Sequence, residues 1–107
     1  MKLWIDDCRP APPGYCWIKS VNEAIEQIVT SEVANRINRC FKYNEIELID
    51  IDHDAGDYAS NGGDYIKLLD WLEETGRSYP IRIHSQNPVG VENMRRIIQK
   101  NGWREVK

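Results

Sequence analysis

Three short apolar runs in this 107-residue chain each end in residues able to do chemistry. Leu3-Trp4-Ile5 leads into Asp6 and Asp7, Ile49-Asp50-Ile51 into Asp52, His53 and Asp54, and Ile81-Arg82-Ile83 into His84, Ser85 and Asn87. Carboxylates gathered in one place repel one another and favour a cation between them. Hard oxygen donors suit Mg2+ or Mn2+, which makes the clustered aspartates candidates to hold such an ion. Histidine titrates near neutrality, which makes His53 and His84 candidates for general acid and base work, with Asp54 beside them.

Plainer roles exist for each of these residues. Asp6 and Asp7 could simply cap a loop. His53 and His84 could be structural, bonded to backbone or to Asp54, and Ser85 could be a turn residue with Asn87. Cys8, next to two acids, is expected to have a raised pKa and to be a poor nucleophile. Trp4, Trp17, Trp71 and Trp103 read as core or interface anchors rather than as platforms for stacked bases.

The elements that must bring these residues together follow from the hydrophobic pattern. Lys2 to Asp6 and Tyr15 to Lys19 read as strands, separated by Arg9-Pro10-Ala11-Pro12-Pro13-Gly14, too proline-rich for a helix. Ser20 to Glu23 has capping-box spacing. Val21, Ala24, Ile25, Ile28 and Val29 then trace a helical face that Val33, Ile37 and Phe41 continue or restart. Glu45 to Asp52 is the clearest strand. After Asn61-Gly62-Gly63, the residues Tyr65, Leu68, Leu69 and Leu72 predict a helix ending near Gly76. Pro80 to Ser85 is a strand, Asn87-Pro88 opens a helix carrying Val91, Met94, Ile97 and Ile98, and Trp103 to Val106 is a last strand.

The order β-β-α-β-α-β-α-β predicts an α/β fold, a reduced flavodoxin-like or receiver-like parallel sheet of order 2-1-3-4-5 over residues 1-107 as a single domain. Ligands of such sheets sit at the carboxyl ends of the strands, where the acids fall. The first helix is replaced by Arg9 to Gly14 and the last is missing, which leaves one sheet face without helices. Ile5, Ile49, Ile51, Ile81 and Ile83 share the parity that meets the helices, whereas Trp4, Asp50 and Arg82 take the other. Asp50 and Arg82 are expected to pair there beside Trp4, on a face that is either wet or a surface for a homodimer or docked partner.

Composition excludes several function classes. The chain is 41% hydrophobic and 29% charged, an ordinary globular balance. No apolar run reaches the ~20 residues of a membrane span. The acids soon after the start predict no secretory leader. Cys8, Cys16 and Cys40 form an odd set without a CxxC pair, as expected of free thiols in the cytoplasm. A net charge of −3 argues against bulk binding to duplex nucleic acid, although basic residues crowd the end from Arg95 onward.

The pieces Leu3-Trp4-Ile5-Asp6-Asp7, Arg9-Pro10-Ala11-Pro12, Ile51-Asp52-His53-Asp54, Gly56-Asp57 and the run from Ile83 to Met94 resemble the cyclic-phosphate-processing receiver-like domain family, over nearly the whole chain. The resemblance implies that Asp6 and Asp7 match the metal-binding acid pair of response-regulator receivers, Asp52 the phosphoacceptor position and Ser85 the small hydroxyl residue. The receiver lysine after the fifth strand has no clear match, which puts phosphorelay switching in doubt. Cys8, where an acid is expected, and the extra residues around Val33 to Asn44 are further departures. The implied function is a phosphoesterase dependent on Mg2+ or Mn2+ held by Asp6, Asp7 and Asp52, acting on an RNA cyclic phosphate end or a cyclic nucleotide. In it His53, His84 and Asp54 would be catalytic, and Arg9, Ser85 and Asn87 would hold the phosphate. The alternative is a non-enzymatic degenerate receiver that binds a partner protein or a nucleotide.

Overall fold

A computed structural model describes residues 1–37 and 45–107. Phe41, Cys40 and the part of the Val33 to Asn44 departure from residue 38 onward lie outside the described residues. The elements are β1 (Lys2–Ile5), β2 (Tyr15–Ile18), α1 (Val21–Ile37), β3 (Leu48–Ile51), α2 (Ile66–Glu74), β4 (Ile81–Ile83) and α3 (Pro88–Asn101). All strands pair in parallel, in the order β2-β1-β3-β4. The expected fifth strand is shorter than its apolar residues suggest. Glu105 makes one parallel bridge to Ile81 at the β4 edge, with Ile81 N–H donating to the Arg104 carbonyl and Val106 N–H to that of Ile81.

The three helices share one core with one side of the sheet. Leu3, Ile5, Ile49, Ile51 and Ile81 are fully buried against Ala24, Ile28, Leu68, Leu69, Leu72, Met94 and Ile98. At about 1.5–3 kcal/mol for each large apolar side chain taken out of water, this layer is the main source of stability. Local signals set the helix ends. Ser20 Oγ accepts from Glu23 N–H, Asn87 Oδ1 accepts from Gly90 N–H ahead of Pro88, and Gly102 closes α3 in the left-handed conformation.

In α1 the buried stripe is Val21, Ala24, Ile28 and Ser31, while Val29, Val33 and Ile37 are exposed. The helix does continue past Thr30, but the second apolar row that suggested it faces away from the core. Among the described residues no helix is long and apolar enough to cross a membrane.

On the other sheet side the register sets Trp4 opposite Trp17 and Asp50, and Asp50 opposite Arg82. Two indoles tie the helix-free β1–β2 connection to this face, Trp4 Nε1 donating to the Arg9 carbonyl and Trp17 Nε1 to that of Asp6, each at 2.8 Å. The Asp50–Arg82 pair exists at 3.4 Å, yet it is not the dominant contact. Asp50 has no exposed surface, and His84 Nδ1 lies 2.6 Å from its other oxygen.

Candidate functional site

Strand parity explains where the acids meet. Trp4, Asp6, Asp50, Asp52, Arg82 and His84 all carry even numbers along parallel, registered strands, so they fall on the helix-free side or at its upper rim. His84 bridges two of them. Its Nδ1 is 2.6 Å from Asp50 Oδ1, its Nε2 is 3.0 Å from Asp6 Oδ2, and its ring stacks on Trp4 at 3.8 Å with 4° between the planes. Both nitrogens lie within hydrogen-bond distance of fully buried carboxylates.

Asp6 is fully buried and saturated. A carboxylate offers about four acceptor directions. Asp6 Oδ1 takes the backbone N–H groups of Cys8 and Arg9, and Oδ2 takes Arg9 Nε and His84 Nε2. Burial alone would raise its pKa. The amides of Arg9 and Cys8, the His84 bond and the Arg9 charge outweigh that and hold it below the ordinary value. The Arg9 guanidinium continues to Asp52, Nη2 to Oδ2 at 3.2 Å, and also donates to the His84 carbonyl at 3.1 Å. Asp52 Oδ1 accepts from His53 N–H.

These bonds test how a divalent ion would fit. Ligand atoms of Asp6, Asp52 and His84 come within 4.8 Å of one another, and so do those of Asp6, Asp7 and Cys8. Among the described residues no such group holds Asp7 and Asp52 together, and every oxygen of Asp6 already carries donors. The donor set as folded does not fit the ion; the positive charge between Asp6 and Asp52 is Arg9. Asp7 lies beside Gly56, whose backbone has φ +55° and where a Cβ would strike the Asp7 carboxylate. Cys8 is exposed, and the neighbouring Asp7 charge is the largest of the effects that push its thiol up.

An open cleft of about 430 Å³ is lined by Cys8, Arg9, Asp52, Asp54, Ser85, Gln86 and Asn87. The expected phosphate contacts Arg9, Ser85 and Asn87 therefore line one space with Asp52 and Asp54. His53 is not among the lining residues; its Nδ1 lies 2.9 Å from Asp54 Oδ1 and 3.5 Å from Asn87 Nδ2, and its side chain is 15% exposed. Its Nε2 makes no hydrogen bond among the described residues. The first turn of α3 fixes the ring, because a Cβ at Gly90 would run into it. Asp7 and His84 do not line the cleft. The Asp50–His84–Asp6 link and the Arg9 bridge were missed from sequence, although the shared even numbering of Asp6, Asp50 and His84 signalled the first.

No curated protein matches the chain, and neither does any solved structure. The model of one family, described as the cyclic-phosphate processing receiver domain, matches residues 1–100. With the parallel sheet, the acids at the ends of β1 and β3 and the hydroxyl after β4, this match shows that the chain belongs to the cyclic-phosphate processing receiver domain family.

Proposed function

We propose that this domain hydrolyses a cyclic phosphate ester, at an RNA end or on a small nucleotide, in the cleft beside Asp52. One observation supports it above others: Arg9, Ser85 and Asn87 line the same cleft as Asp52 and Asp54, and Asp54 holds a histidine by its Nδ1. A guanidinium suits phosphate oxygens through its planar set of N–H donors, and hydroxyl and amide donors complete the contact. His53, oriented by Asp54, takes a proton from water on Nε2 as the water oxygen bonds to phosphorus. The bond from phosphorus to one ribose oxygen breaks, that oxygen receives the proton from His53, and a phosphomonoester leaves.

A second reading, a phosphate or nucleotide-binding module without turnover, is favoured by His84, whose two nitrogens are engaged and which leaves His53 alone for proton transfer. Phosphorus NMR on adenosine 2′,3′-cyclic phosphate, cyclic mononucleotides and cyclic dinucleotides separates the two. Hydrolysis is expected in the parent, with His53→Ala losing roughly 10²–10⁴-fold in turnover and little affinity. Binding without hydrolysis gives the module reading; neither binding nor hydrolysis refutes both.

A further inference from the structure

Arg9 occupies the position that the neighbouring acids would otherwise leave to a metal. Its Nε is 3.0 Å from Asp6 Oδ2 and its Nη2 is 3.2 Å from Asp52 Oδ2. Local bonds hold it there. Arg9 lies in the turn whose amides bond to Asp6 Oδ1, and its carbonyl is held by the Trp4 indole. A divalent ion taking Asp6 and Asp52 together would have to expel this guanidinium from the side of a fully buried carboxylate. The rest of the group faces outward. Nη1 makes no hydrogen bond among the described residues, the side chain is 42% exposed, and it lines the cleft.

We propose that Arg9 is the permanent cation of this site, neutralising Asp6 and Asp52 in place of a divalent ion and binding the phosphate of the ligand directly. The first half stands on the Asp6–Arg9–Asp52 geometry; the second rests on the reading of the cleft as a phosphate site. Removing the guanidinium bares two carboxylates beside His84, within the 4.8 Å that a metal ion can span. The domain therefore works without added metal, and loss of Arg9 creates a metal site that the parent lacks.

Thermal melting of the parent, Arg9→Ala and Arg9→Gln in EDTA, MgCl2 or MnCl2 tests the first half. The glutamine variant keeps a polar side chain in case the alanine variant fails to fold. The parent should melt at the same temperature in all three, and the variants should gain several degrees with metal. A metal-induced rise in the parent that Asp52→Asn abolishes overturns the proposal, and so do variants indifferent to metal. Titration with inorganic phosphate in EDTA tests the second half: the parent should bind, and Arg9→Gln should bind at least about tenfold more weakly. Phosphate binding that requires added metal overturns direct binding by Arg9. Absence of phosphate binding in every condition refutes the cleft reading instead, and is told apart by the metal-dependent melting of the Arg9 variants.

Discussion

Removing the imidazole of His84 should cost this fold far more than removing the guanidinium of Arg82, although both pair with Asp50. The Asp50 side chain is entirely buried, with His84 at 2.6 Å and Arg82 at 3.4 Å. The Arg82 side chain is 47% exposed, so water screens its pairing, which is worth under about 1 kcal/mol. His84→Ala leaves Asp50 with that weak partner alone and takes a donor from buried Asp6, a loss of about 3–5 kcal/mol for an uncompensated buried charge. Loss of the Trp4 stack adds about 0.5–1.5 kcal/mol. At roughly 4 °C per kcal/mol for a domain of this size, His84→Ala should melt some 12 °C or more below the parent, and Arg82→Ala within roughly 4 °C of it. Urea denaturation of both variants, and of each combined with Asp50→Asn, is the assay. Neutralising Asp50 should recover part of the His84→Ala loss, with a coupling of about 0.5–3 kcal/mol. Equal losses in the two single variants, or no coupling with Asp50, would refute the claim that the imidazole is the main partner of that carboxylate.

Acid should destabilise the fold through Asp6 and Glu32. Burial raises both carboxyls, but bonds to Asp6 from the Arg9 and Cys8 amides, and to Glu32 from Arg77 and Tyr79, hold each below its ordinary value of 3.8 or 4.5. A carboxyl lowered on folding stabilises the native state above its unfolded pKa and loses that contribution as the pH falls through the folded one. Stability from urea melts should therefore be steady down to those ordinary values and drop below them; a flat profile through that range would contradict the bonding described. Gly90→Ala should destabilise by about 1–3 kcal/mol despite the better helix propensity of alanine, because its Cβ meets the His53 ring. Urea midpoints and the His53 ring resonances check this, and an unperturbed ring would show that α3 does not position it.

Much of this arrangement could be read from the residues because strand periodicity is strict. Alternation along Ile49-Asp50-Ile51 and Ile81-Arg82-Ile83 separated the core side from the polar side, and the proline-rich stretch after Arg9 excluded a helix. Extending the same parity by two residues would have put His84 beside Asp50. Taken only as a residue at the end of its strand, it reads as a proton carrier. Arg9 was harder to place. Its link to Asp52 spans 43 positions and depends on a turn whose amides bend back onto Asp6, a long-range contact without a local pattern. The 3₁₀ turn over Gly56–Ser60 was likewise hidden, because it stands where acids and small residues read only as loop.

A phosphate ligand is expected in the cleft lined by Arg9, Asp52 and Ser85, and a backbone-amide NMR titration with adenosine 2′,3′-cyclic phosphate reads its position residue by residue. Shifts should concentrate at Cys8, Arg9, Asp54, Ser85, Gln86 and Asn87. They should spare the second cleft of about 450 Å³ lined by Glu32, Asn35, Arg36, Thr75 and Arg77. Shifts confined to that second cleft, or none at saturating ligand, would contradict the assignment of the site.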